Sequence, residues 1–171
     1  MKAKTERLIL RELVLTDAPD IFEMDSDPKV HLYLGNKPIT TLQQAEDGIR
    51  YINKQYSENG IGRWAVVEKT TGECIGWCGL KFFSDMEANG FTDIHEIGYR
   101  FKKKHWGKGY ATEAAKASLN YGFDNMKLDV IYGMTHADNL ESQNVFRKLG
   151  LNYINDFELD KEPHKWFEIR K

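Results

Sequence analysis

Apolar residues recur along this chain in two rhythms, every second position and every third or fourth, and the changes between them mark its elements. Residues 7–13, Arg7-Leu8-Ile9-Leu10-Arg11-Glu12-Leu13, alternate well enough to predict a strand. Thr16-Asp17 reads as a helix start, with Pro19 tolerated in the first turn. Thr40 or Thr41 caps a longer helix carrying Ala45, Ile49, Ile52 and Tyr56 at helical spacing, and Asn59-Gly60 ends it. Two apolar runs, 64–67 and 74–80, are joined by Lys69-Thr70-Thr71-Gly72 and predict a hairpin. A polar loop over 84–93 leads to a third long strand, 94–101. Past Gly107 and Gly109 a helix runs to about residue 125. Its face of Ala111, Ala114, Ala115, Ser118, Leu119 and Gly122 is small enough to let its axis approach a sheet closely. A strand over 130–134, a helix over 139–149 and strands over 153–158 and 165–169 complete the chain.

This order predicts an α/β (α+β) fold, a mixed sheet with helices on it, and neither a doubly wound sheet nor an all-β sandwich. The 171 residues fit one domain spanning 1–171, and no repeat or linker-like tract divides them. A formal net charge of -2 gives no electrostatic footprint for nucleic acid. The first ten residues lack an apolar signal core, and no run approaches the ~20 apolar residues of a membrane span. The expectation is a cytoplasmic protein without a membrane partner, whose Cys74 and Cys78 are free thiols. Four apart on one strand, the two cysteines are expected on one face as packing residues. No further ligands at zinc spacing accompany them, so no metal is expected.

Residues 99–114, Tyr99-Arg100-Phe101-Lys102-Lys103-Lys104-His105-Trp106-Gly107-Lys108-Gly109-Tyr110-Ala111-Thr112-Glu113-Ala114, carry the most chemistry. A strand ends, a basic turn follows, and two glycines open a helix. Glycine lets the backbone adopt positive φ and come close to a ligand. The unpaired N–H groups of a first helical turn, with the helix dipole behind them, suit a pyrophosphate. Lys102, Lys103, Lys104 and Lys108 are expected to add charge beside it. A glycine turn next to a solvated lysine cluster is the other reading of the same residues. A Walker loop is excluded because no Lys-Ser or Lys-Thr pair follows the glycines. A Rossmann fingerprint fails because Thr112 stands at its third small position, and Thr135 and His136 stand where its acid belongs.

Four ordered segments resemble the GNAT superfamily of N-acetyltransferases, in its branch of ribosomal-protein N-terminal (alanine) acetyltransferases. They are Thr5-Glu6-Arg7-Leu8-Ile9-Leu10-Arg11, then Glu96-Ile97-Gly98-Tyr99, then Lys104-x-x-Gly107-x-Gly109-Tyr110-Ala111-Thr112-Glu113-Ala114, then Asn139-x-x-Ser142 with Phe146-Arg147-Lys148-Leu149-Gly150-Leu151. The resemblance implies a mostly antiparallel seven-stranded sheet flanked by about four helices and splayed between its fourth and fifth strands. It also implies acetyl-CoA as co-substrate and a primary amine as acceptor, either a protein N-terminus or a small molecule such as a polyamine, an aminoglycoside or an amino acid. The chain would act as a monomer or homodimer. A non-catalytic acyl-CoA-binding module is the alternative of a different class.

The resemblance further implies that pantetheine enters the splay and that its pyrophosphate rests on backbone N–H groups of residues 104–109, namely Lys104, His105, Trp106, Gly107, Lys108 and Gly109, with Tyr110 and Ala111 opening the helix. The family usually has Gln or Arg where this chain has Lys104. Backbone N–H groups of Tyr99, Arg100 and Phe101 would stabilise the tetrahedral intermediate. An α-amino group is roughly 10–15% neutral at pH 7 and a lysine below about 0.1%, so a general base matters most for lysine-like acceptors. Glu96 is the first candidate base, acting through water. Its alternative is a carboxylate that pairs with a cation, and His95 and His136 are weaker candidates. The family's usual tyrosine acid aligns with Phe146, which has no proton to give, so Ser142 becomes the candidate donor to the leaving thiolate. Asn139 is expected to bond pantetheine, although it or Asp138 could equally cap the helix, Asp138-x-x-Glu141 resembling a capping box. His31, Tyr33, Trp77 and Phe82 could line the acceptor site or pack the core. Asp85, Glu87 and Asp93 could attract a cationic acceptor or form a solvated loop.

Overall fold

The computed structural model describes residues 2–84 and 87–171. Its elements are β1 (Ala3–Lys4), β2 (Leu8–Arg11), α1 (Ala18–Asp25), α2 (Leu42–Asn59), β3 (Trp64–Glu68), β4 (Cys74–Phe83), β5 (Ile94–Phe101), α3 (Tyr110–Asp124), β6 (Val130–His136), α4 (Leu140–Lys148), β7 (Asn152–Leu159) and β8 (Glu162–Arg170). The strands form one sheet in the order β1-β2-β3-β4-β5-β6-β8-β7. Every neighbouring pair is antiparallel except β5 and β6, which are parallel. The sheet has eight strands where seven were expected. The addition is β1, whose two residues pair with Ile9 and Leu10 and are too few to carry an alternation signal. Among the described residues no helix is long and apolar enough to cross a membrane.

Helices α3 and α4 cover one face of the sheet, burying Leu8, Leu10, Trp64, Val66, Leu80, Ile97 and Phe167. Helices α1 and α2 cover the other, over Ala65, Val67 and Cys74. The small face of α3 is what brings it down. Ala114, Ala115 and Ser118 are fully buried, and a Cβ on Gly122 would stand 2.7 Å from Leu80 Cδ1 and 2.8 Å from Ile131 Cδ1. The long second helix has the ends its sequence specifies. The Thr41 hydroxyl accepts from the Gln44 N–H, and Gly60 closes the helix at φ 70°.

The two cysteines do not share a face. Opposite β3, Val66 pairs with Gly76 and Val67 with Cys74, so Ile75 is an extra residue and the side-chain alternation inverts there. Cys74 packs with the α1–α2 side and Cys78 with the α3 side. Glycine is required in the bulge, since a Cβ on Gly76 would stand 2.2 Å from the Arg100 carbonyl oxygen. Burial pushes both thiols up to about 12, which leaves them unreactive packing groups.

The turn between β5 and α3 is held by a buried cation. Lys102 is 2% exposed, and its Nζ donates to Asp20 Oδ1, Glu23 Oε2 and Glu73 Oε1, each at 2.7 Å. The three carboxylates converge as they would on a metal ion, but an ammonium group fills the place. Burial alone would raise the Glu73 carboxyl; hydrogen bonds from Lys102 and Lys104 outweigh it and hold the group at about 2. A carboxylate depressed on folding stabilises the fold above the ordinary carboxylate range and loses that contribution as pH falls toward about 2. Lys102→Met keeps the buried stem and leaves the carboxylates to repel one another. It is expected to cost about 3 kcal/mol at pH 7, near the low end for breaking a buried pair because the carboxylates keep some solvent. Urea unfolding of both proteins at pH 7 and pH 3 checks this, with the difference shrinking at the lower pH.

Candidate active site

Strands β5 and β6 meet through one register pair, Glu96 with Tyr132. Beyond it, residues 97–101 and 133–136 share no ladder, and this is the splay expected between the fourth and fifth strands of the family's sheet. The edges facing this gap have backbone groups that need other partners. The side chains around the gap fall on two faces because successive residues of a strand alternate.

On the α4 face, Tyr99 reaches across the gap. Its hydroxyl lies 2.8 Å from Ser142 Oγ and 3.4 Å from the Ser142 carbonyl oxygen. Ser142 is in the first turn of α4, where its N–H donates to Asn139 Oδ1 at 3.1 Å. Asn139 is therefore the cap, and the capping box read from Asp138 does not form. Phe146 stands edge-on to Tyr99 at 6.1 Å and is buried against Gly133, where a Cβ would come within 3.0 Å of its ring. Burial, opposed by the Ser142 hydrogen bond, raises the Tyr99 phenol and keeps it protonated.

On the α1–α2 face, Glu96 is buried and ion-paired with Arg63. Arg63 Nη1 also donates to the carbonyl oxygens of Gly79 and Glu96, the latter at 2.8 Å. The guanidinium lies over Gly98, where a Cβ would stand 2.5 Å from Nη2. Burial raises the Glu96 carboxyl above the ordinary range against the opposing pull of Arg63. Trp77 lies 5.5 Å from the Arg63 guanidinium and 5.1 Å from that of Arg100. Arg100 Nη1 donates to Asp25 Oδ1 at 2.8 Å, and His31 Nε2 stands 3.4 Å from the same oxygen. Burial and the Arg100 charge lower the His31 imidazole, so it is neutral near pH 7. Tyr33 stacks on His136 at 5.3 Å, bringing the turn after α1 to the end of β6.

Other candidates lie apart from this arrangement or in its wall. His95 packs against Phe82 at 4.8 Å. Glu87 and Asp93 are exposed, and Asp85 lies outside the described residues. Phe101 is in the α3-side core.

At the start of α3, Gly107 and Gly109 adopt φ 71° and 80°, the left-handed conformation that glycine tolerates best. The lysine cluster is not gathered there. Lys102 is buried among carboxylates, and Lys104 Nζ pairs with Glu23 at 2.9 Å and Glu73 at 2.8 Å. Lys103 lies beside Lys29, which lowers its ammonium. Carboxylates of α1 and that of Glu73, just before β4, draw Lys102 and Lys104 away, leaving Lys108 with no carboxylate in ion-pair range among the described residues. His105 is buried and neutral near pH 7, held low mainly by burial, while Trp106 donates to the Phe101 carbonyl oxygen at 2.9 Å. Tyr110 bonds Glu68 and Ala111 is half-buried. A residue without an assigned role in the sequence is also present. Arg7 donates to the Lys108 carbonyl oxygen at 2.9 Å and to Glu113 Oε2 at 2.7 Å, and its guanidinium covers the Tyr110 ring at 4.4 Å. It braces the glycine turn from 101 residues away in sequence.

The family model described as an acetyltransferase (GNAT) domain matches residues 7–152. The chain belongs to the GNAT family. It is an acetyl-CoA-dependent N-acetyltransferase. An uncharacterized N-acetyltransferase, p20 of Bacillus licheniformis, is 36% identical over 162 residues, covering 92% of this chain and 87% of that one. The spermidine N(1)-acetyltransferase of Escherichia coli K12 is 24% identical over 152 residues, covering 84% and 72%. The crystal structure of a GNAT-family acetyltransferase from Bacillus anthracis superposes with a TM-score of 0.79 at 26% identity, covering 98% and 96%. RimL, a ribosomal L7/L12 α-N-protein acetyltransferase in complex with coenzyme A, shares the fold at a TM-score of 0.77 and 14% identity, covering 97% and 95%.

In this GNAT enzyme the glycine turn is open toward solvent, since a Cβ on Gly107 meets no atom within 4 Å. Gly107→Val therefore tests the turn through conformation and through crowding of an anion, not through the core. The variant is expected to lose about 1–2 kcal/mol of stability from positive φ and to bind acetyl-CoA at least about tenfold more weakly. Calorimetric titration of folded variant and parent checks both the site and its independence from the core.

Proposed function

We propose that this GNAT enzyme acetylates an α-amino group, in a ternary complex, by direct attack on acetyl-CoA held in the gap between β5 and β6. The pyrophosphate rests on the N–H groups of the glycine turn and the first turn of α3, with Lys104 and His105 contributing backbone rather than charge. Pantetheine lies along the gap, bonding the free amide of Asn139 and the unpaired edges of the strands. Backbone N–H groups in residues 99–101 receive the developing oxyanion, a fixed-dipole arrangement that needs no reorganisation. Glu96 takes the amine proton, directly or through water, and Ser142 faces the departing sulfur.

The observation that carries the acceptor class is the state of the carboxylates on the α1–α2 face. Asp25 and Glu96 are each paired with an arginine, Arg100 and Arg63. That face thus offers little surplus negative charge to a polycation, while an α-amino group arrives partly neutral at pH 7. RimL acts on a ribosomal-protein N-terminus, which agrees with this reading, and the spermidine enzyme marks the competing acceptor class.

Two measurements test it. Release of free CoA should be seen with a short peptide whose first residue is small and not with spermidine; turnover of spermidine alone would reverse the acceptor class. Glu96→Gln keeps an acceptor for Arg63 and removes the base. Because the ionised carboxylate is the active form and its folded value is raised, parent activity should fall as pH drops through that value. The variant should lose about 10²–10⁴-fold in kcat and lack that acid limb. An unchanged profile would remove Glu96 from the mechanism.

A further inference from the structure

We propose that Tyr99 is the positioning residue for the leaving group: its hydroxyl donates to Ser142 Oγ and so aims the serine O–H at the coenzyme A sulfur. This rests on the reading above, in which that sulfur lies in the gap beside Ser142. The position from which a helix tyrosine would act is filled by Phe146, which is buried and has no proton to share. A phenol nonetheless reaches the neighbourhood from β5, where the Tyr99 ring stands edge-on to Phe146 at 6.1 Å and its hydroxyl meets Ser142.

Either hydroxyl can donate across the 2.8 Å contact, and we assign Tyr99 as the donor. Both acceptors within reach of the Tyr99 hydroxyl belong to Ser142, Oγ at 2.8 Å and the carbonyl oxygen at 3.4 Å. With Oγ accepting from Tyr99, the serine's own hydrogen is left to point elsewhere. The backbone of Ser142 is held in the first turn of α4 by its N–H donating to Asn139 Oδ1 at 3.1 Å. That turn also presents the positive end of the nine-residue helix to the developing thiolate.

The step balances without a proton leaving Tyr99. The amine lone pair forms the C–N bond, and the carbonyl π pair moves to oxygen. When that pair returns, the C–S bond breaks and its electrons stay on sulfur. The thiolate receives a hydrogen bond from Ser142, whose oxygen is polarised by Tyr99, and takes a proton from solvent as it leaves. The amine proton goes to Glu96. Burial raises the phenol, which suits a donor that stays protonated through the cycle.

The bound coenzyme reports on the pair without any acceptor. CoA itself is bound to the enzyme, and its thiolate is followed by ultraviolet absorbance across pH, with affinity measured in parallel. The CoA thiol should titrate about one pH unit lower on the parent than on Y99F or S142A, a tenfold difference in ionisation. The double variant Y99F/S142A should match S142A, because Tyr99 acts only through the serine. Y99F that binds CoA and titrates like the parent would overturn the proposal. So would a further shift on adding Y99F to S142A, which would mean that the phenol meets the sulfur directly. Failure of the folded parent to bind CoA would overturn the reading of the gap itself, and with it this assignment.

Discussion

The arrangement depends on an interruption: two adjacent parallel strands that share a single register pair. A sheet ordinarily satisfies its backbone groups strand by strand, and an unpaired edge in its middle carries a cost unless something else occupies it. In this chain Glu96 and Tyr132 mark where pairing stops, and in the complex we propose the remaining edges of β5 and β6 take an extended, amide-bearing ligand. The same vertex sorts the chemistry. Odd-numbered residues of β5 turn to α4, which sets Tyr99 against Ser142. Even-numbered ones turn to α1 and α2, which sets Glu96 beside Arg63 and Arg100 beside Asp25. In the mechanism we propose, proton acceptance and thiolate stabilisation therefore belong to opposite faces of one strand.

Charge is organised around this gap more than it is concentrated in it. Lys102 gathers two carboxylates of α1 and that of Glu73, just before β4, and anchors the turn that leads into α3. Arg7 anchors the other side of that turn through Lys108 and Glu113. The turn can then present backbone N–H groups in a fixed geometry while most of the basic side chains around it are neutralised. Anion binding by such a site comes from oriented dipoles, which salt screens less than it screens a cluster of mobile lysines.

Much of this was legible in the sequence because it is local. Helix caps at Thr41 and Gly60, the hairpin around Gly72, the small face of α3 and the glycine turn each depend on neighbours within a few residues. The family resemblance carried the splay and the eventual fold. What the sequence did not carry is set by register and by distance. The bulge at Ile75 inverts alternation with no compositional sign, which is why Cys74 and Cys78 fall on different faces. The destination of a lysine is decided by carboxylates that arrive from other elements, so of the four lysines between 102 and 108 two, Lys102 and Lys104, are drawn away by ion pairs. The pairing of Tyr99 with Ser142 joins residues 43 apart, and the strand β1 is too short to announce itself.

A structure of the enzyme crystallised with coenzyme A tests the central claim most directly. The account requires pantetheine between residues 97–101 and 133–136, the sulfur beside Ser142, and the pyrophosphate on the N–H groups that follow Gly107. Coenzyme A found outside the gap, with β5 and β6 closed into a continuous ladder beyond Glu96 and Tyr132, would contradict it.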